Sequence, residues 1–132
     1  MELIVIGTGS KGNGYILNGE TEALVIECGC RYSEVMKAIA HDRNKVVGCL
    51  VTHEHGDHAK YAKQFLDNGL DVYATAGTLT AISYDGVFAP KVCTMYETFH
   101  CGGFEITPFP TKHDANMPCG YHIWHPDMGS LV

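Results

Sequence analysis

At 132 residues the chain has room for one domain with a real hydrophobic core, though it is short for a full two-sheet sandwich. Its 9 Lys and Arg against 15 Asp and Glu give a formal net charge of −6, and it has no basic stripe of the kind that tracks a phosphate backbone, which counts against tight nucleic-acid binding by surface charge alone. No apolar stretch is long enough for a membrane helix, and six cysteines without a C-x-x-C pair or a signal peptide read as free thiols, so a reducing, cytoplasmic setting is expected.

Leu3-Ile4-Val5-Ile6 predicts a first strand, followed by Gly7-Thr8-Gly9-Ser10-Lys11-Gly12. That hexapeptide matches G-x-G-x-x-G, but a dinucleotide fingerprint needs a helix directly after it and a Walker loop needs G-K-[ST]; the residues after Gly12 are strand-like instead. Tyr15-Ile16-Leu17 and Ala23-Leu24-Val25-Ile26 predict two more strands, joined by a hairpin turn at Asn18-Gly19-Glu20-Thr21. Ser33 to His41 predicts a helix, with Val35, Met36, Ile39 and Ala40 at helical spacing and Ser33 as its cap. Lys45 to Val51 reads as a short buried strand and Ala59 to Leu66 as a helix with an apolar stripe. Thr78 to Tyr84 reads as another apolar helix and Gly103 to Phe109 as a strand. Strands first, then strands alternating with helices, is an α/β order.

Between the buried strand and the helix after it stands Thr52-His53-Glu54-His55-Gly56-Asp57-His58. Imidazole nitrogen and carboxylate oxygen are the usual ligands of a zinc ion that keeps positions open for water, whereas closed structural sites recruit thiolates. No cysteine lies in this segment. His53 and His55, two apart in an extended stretch, point to one side and can share an ion; Asp57 and His58 open the helix, where a carboxylate suits the positive end of the dipole.

This segment resembles the H-x-H-x-D-H signature of the metallo-β-lactamase superfamily, most of all its phosphodiesterase and nuclease-like branch. The strand-like Gly103 to Phe109, followed by Lys112-His113-Asp114, looks like that family's next ligand motif. The resemblance implies an α/β fold, the amino-terminal part of an αββα sandwich with a mixed sheet and flanking helices, and residues 1–132 as a single, incomplete domain. It implies that His53, His55 and His113 hold one metal while Asp57 and His58 begin a second site, with two zinc ions in the complete protein and manganese or iron as substitutes. Asp57 would also act catalytically by orienting the attacking water. In that branch a Gly-Ser-x-Gly-Asn loop approaches the cleft, so Ser10 and Asn13 would touch an anionic substrate; a tight turn needing positive φ at glycine is an equal reading. Family members place an aspartate before a glycine at the end of the third strand. Here Ile26-Glu27-Cys28-Gly29 stands there, and Glu27 would orient a metal-bound histidine.

The function so implied is hydrolysis of a phosphodiester or related ester by metal-activated water. The acidic balance does not oppose a small-molecule or nucleic-acid phosphodiester, since bound cations neutralise the scissile group locally. Lys11, Lys60 and Lys112 are the basic residues near the cleft in sequence. The family pattern continues with an aspartate bridging the two metals and a last histidine, and neither is found after His113. Two alternatives stand beside the hydrolase: a metal-binding but inactive fragment, and an iron-binding relative that handles oxygen or electrons. His41, His100, His122 and His125 each read as structural or solvated, and Cys119 as a small buried hydrophobe. Half a sandwich would leave an apolar sheet face and an open strand edge, so a homodimer through that face is expected.

Overall fold

The computed structural model describes residues 1–132. Ten strands form two sheets. The first sheet runs in the order β1 (Glu2–Gly7), β2 (Gly14–Asn18), β3 (Ala23–Ile26), β4 (Val46–Leu50), β5 (Val72–Thr75), β6 (Lys91–Cys93). β1, β2 and β3 are antiparallel neighbours and β3 to β6 are parallel. The second sheet is wholly antiparallel: β10 (Gly129–Leu131), β9 (Cys119–His125), β8 (Phe104–Pro110), β7 (Phe99–Cys101).

Burial follows from this topology. β3 and β4 are nearly continuous apolar runs because both faces are covered. β8 and β9 alternate buried and open positions, with Phe104 and Ile106 inward and Glu105 outward, as a strand wetted on one face should. Val25, Cys49, Val51 and Val72 pack on one side of the first sheet against Val35, Phe65 and Leu66 of the helices. On its other side Leu17, Leu24 and Leu50 meet Phe104, Ile106 and Ile123 of the second sheet. The result is a helix layer and two sheet layers.

The first helix is shorter than its sequence pattern predicts, the second is broken in two, and the third starts and ends two residues earlier. α1 covers Tyr32–Ala38, capped by Arg31 rather than Ser33 and without a side-chain cap bond. It ends early because Ala40 and His41 both take left-handed backbone angles, and the His41 N–H folds back onto the Met36 carbonyl. The single helix expected over Ala59 to Leu66 is two, α2 (Gly56–Ala59) and α3 (Ala62–Asp67). The Tyr61 N–H donates to the Cys28 carbonyl at the end of β3 at 2.9 Å, which interrupts the helical ladder there. α4 covers Ala76–Ile82; the Thr75 hydroxyl accepts from the Thr78 N–H, and Ser83 ends the helix in a left-handed conformation.

Candidate metal centre

The carboxyl ends of β3 and β4, where α/β folds commonly bind ligands, present the histidine-rich loop. Directly after β3 comes Glu27, whose φ of +71° is a left-handed angle that strains a residue bearing a Cβ, of order 1–3 kcal/mol. That turn folds its buried carboxylate under the next loop. Oε1 accepts the Thr52 N–H at 2.9 Å and Oε2 accepts the Thr52 hydroxyl at 2.7 Å. Oε2 is also hydrogen-bonded to His58 Nδ1.

This arrangement fixes two tautomers. Because the Thr52 hydroxyl gives its proton to Glu27, it serves as acceptor toward His53 Nδ1, 2.8 Å away, so His53 carries its proton on Nδ1 and keeps its lone pair on Nε2. His58 Nδ1 donates to Glu27 in the same way, again leaving the Nε2 lone pair. The hydrogen bond to Glu27 raises the His58 imidazole above the ordinary histidine value, outweighing desolvation. Burial, with the neighbouring His58 charge adding, lowers His53, which is 3% exposed.

Around His53 the other rings gather: His58 at 4.1 Å, His113 at 4.6 Å and His55 at 4.7 Å between centroids. His113 arrives from the loop after β8, stacked on His53 at an interplanar angle of 11°. Three bonds fasten its loop to the histidine loop: His55 Nε2 donates to the Asp114 carbonyl, the Asn116 N–H to Glu54 Oε2 at 2.9 Å, and the Cys119 N–H to the Thr52 carbonyl at 2.9 Å. The trio whose ligand atoms all lie within 4.8 Å of one another is Glu27, His53 and His58. Nitrogen and carboxylate donors this close suit a divalent cation, so the residues fit the metal expected of them. Within this trio Glu27 lies on the Nδ1 side of His58 and, through Thr52, of His53.

Asp57 lies beside His58, Oδ2 to Nε2 at 3.5 Å, with its side chain about a third exposed to the cleft. Asn13, expected from the family resemblance to touch substrate, is buried, and both ends of its amide are engaged within the protein. Its Nδ2 donates to the carbonyls of Gly9 and Asp57, each at 3.1 Å, and its Oδ1 accepts the Gly9 N–H and the Tyr15 hydroxyl, each at 3.2 Å. In this structure Asn13 fastens the glycine loop to the helix that carries Asp57. Ser10 is exposed at the tip of that loop.

Sequence reasoning missed Thr52, Glu54 and Tyr121. Thr52 opens the histidine segment and so was within sight; Glu54 is the residue between two ligand-type histidines. The Tyr121 hydroxyl, donated to the Val51 carbonyl at 2.7 Å beneath the loop, has no local sequence signal. His125 sits at the far end of β9, its Nε2 2.6 Å from Glu22 Oε1, and joins the two sheets there, which agrees with a structural reading.

A helix–sheet–sheet sandwich with clustered imidazoles at the ends of its parallel strands defines a metal-site protein of the α/β class. The family model for the metallo-β-lactamase superfamily matches residues 7–83. The chain belongs to the metallo-β-lactamase superfamily. It is 26% identical to exodeoxyribonuclease WalJ of Streptococcus pneumoniae, over 97% of this chain and 51% of that protein. It is 31% identical to exodeoxyribonuclease YycJ of Bacillus anthracis, over 89% and 47%. The chain therefore spans about half the length of the curated relatives it matches. Among solved structures, a Cronobacter sakazakii metallo-β-lactamase with a HARLDQ motif aligns with a TM-score of 0.77 at 14% identity, covering 96% of this chain and 56% of that one. The di-zinc metallo-β-lactamase LRA-12 from an Alaskan soil metagenome aligns at 0.75 and 15% identity, covering 97% and 56%. These structural likenesses establish the fold.

Proposed function

We propose that this protein is a metal-dependent hydrolase of phosphodiester bonds in nucleic acid, with zinc as its metal. The observation that supports it most is the trio Glu27, His53 and His58, whose ligand atoms all lie within 4.8 Å of one another, with Thr52 and Glu27 taking the Nδ1 side of the two rings. The names of the curated relatives supply the substrate class. His53 and His58 would hold the cation with Asp57, while His55 and His113 stand at the cleft's open side as further ligands. A bound divalent cation supplies Lewis acidity, lowering the pKa of water toward neutrality and offsetting phosphate charge.

The chain's own residues do the positioning. Glu27 engages Nδ1 of His58 and Thr52 that of His53, leaving Nε2 of both rings to a cation, and Asn13 holds the Asp57 backbone in place. The partly exposed Asp57 carboxylate would accept a hydrogen bond from the attacking water and orient it. Six buried, unbridged cysteines support a reducing, cytoplasmic setting, and no helix is long and apolar enough to cross a membrane.

Metal analysis joined to an end-labelled DNA assay tests this. The purified protein should carry zinc in stoichiometric amount and release nucleotides, and His53→Ala with His58→Ala should lose both. Zinc-free protein, or cleavage unaffected by the double substitution, would contradict the reading.

A further inference from the structure

Behind the loop that carries Asp57 lies a cavity of about 250 Å³ whose walls include Lys11, Arg31, Glu34 and Tyr61. It adjoins the metal centre through backbone contact. Gly29 lines it, and a Cβ on Gly29 would stand 2.0 Å from the Asp57 carbonyl oxygen and 2.4 Å from the Asn13 nitrogen. Lys60 follows one turn after Gly56 and places its ammonium 5.4 Å from the centre of the Tyr61 ring. Lys11, Arg31 and Lys60 are all exposed. Within the lining Lys11 and Arg31 outnumber Glu34, and Lys60 adds a third cation beside Tyr61, in a chain of net charge −6. A hydrogen bond with the Arg31 guanidinium, with the Lys60 charge adding, draws the Tyr61 phenol below its ordinary value. The break between α2 and α3 falls at Lys60 and Tyr61, so the interruption itself delivers the aromatic ring and the ammonium to this face.

An aromatic ring flanked by cations is the combination that binds a nucleic-acid strand, the cations taking phosphates and the ring taking a base face. We infer that Lys11, Arg31, Lys60 and Tyr61 form a binding tract for the backbone of a nucleic-acid strand, adjoining the metal cleft and leading the strand into it. The identity of the ligand rests on the nuclease reading above; the tract itself does not depend on a bound metal.

Fluorescence anisotropy of a labelled single-stranded DNA oligonucleotide, in EDTA so that nothing is cut, reads this directly. Wild-type protein should bind with a steep salt dependence. The triple variant K11A/R31A/K60A should bind at least tenfold more weakly, with its log-log salt slope flattened by about 2, since each lost phosphate contact removes roughly 0.7. Tyr61→Leu should weaken binding while leaving the salt slope unchanged. The charge-matched variant K37A/K45A/K91A, altered elsewhere on the surface, should match wild type. Equal affinity and slope in wild type and K11A/R31A/K60A would overturn the tract, as would an equal loss in the charge-matched variant. Wild-type protein that carries no zinc and cuts nothing in the assay above, yet binds the oligonucleotide as expected here, would count against the metal reading alone.

Discussion

Glu27 ties two histidines of the site, His53 and His58, to one carboxylate. Its two oxygens engage Thr52 twice and His58 once, and Thr52 passes the constraint to His53. Removing the hydroxyl in Thr52→Val frees the His53 ring to rotate or to change tautomer. We expect zinc affinity to fall about 10- to 100-fold, the range found when outer partners of metal-binding histidines are removed, with the fold retained in circular dichroism; a chromophoric chelator competition measures it. The His58 shift has a consequence for the metal-free protein as well. A histidine raised by its partner contributes stability that is fully present below its unfolded value near 6.5 and is lost as pH rises through the raised folded value. Glu27→Gln removes the cause of that shift. In chelator-treated protein the gap in melting temperature between wild type and Glu27→Gln should therefore be widest near pH 6 and should narrow above the raised His58 value. A gap independent of pH would show that His58 and Glu27 do not interact as an ion pair.

At the scale of elements, the site depends on three backbones packed with no room for a side chain. A Cβ on Gly12 would lie 2.1 Å from the Gly29 carbonyl oxygen, and one on Gly29 would lie 2.0 Å from that of Asp57. Gly29→Ala must push the end of β3 away from α2, a clash with backbone that should destabilise the protein by about 1–3 kcal/mol in urea unfolding. Gly56→Ala, with nothing within 4 Å of the added methyl, should fall within about 0.5 kcal/mol of wild type. β1 to β4 were legible in sequence because apolar runs such as Ala23 to Ile26 sit between glycine and polar punctuation, and local pattern fixes them. The helix ends were not. What ends α1 and splits α2 from α3 is nonlocal or conformational: the left-handed Ala40 and His41, and the bond from Tyr61 to Cys28 across more than thirty residues. The histidine segment was legible for its composition, and His113 through family resemblance. The role of Thr52 was not, since its value comes from a glutamate 25 positions away.

Across the whole molecule, coverage fades toward one side of the sandwich. On the face of the first sheet turned to the second, Leu50 is fully buried, Ile26 and Tyr15 are partly open, and Val5 on the edge strand is 54% exposed, with Leu3 at 56%. Leu131 and Val132, on the edge of the second sheet, are exposed likewise. Apolar edges of this kind favour association. The 132-residue chain should therefore self-associate in light scattering, and a Leu3→Lys, Val5→Lys double variant should shift it toward monomer; a monodisperse wild-type monomer would contradict this. Whether Glu27 sets two histidine nitrogens to hold a cation at the ends of β3 and β4 can be read by diffraction from crystals of the zinc-loaded protein, recorded on both sides of the zinc absorption edge. The expected result is an anomalous peak bonded to Nε2 of His53 and of His58, and a peak at any other cluster of side chains, or no peak at all, would contradict it.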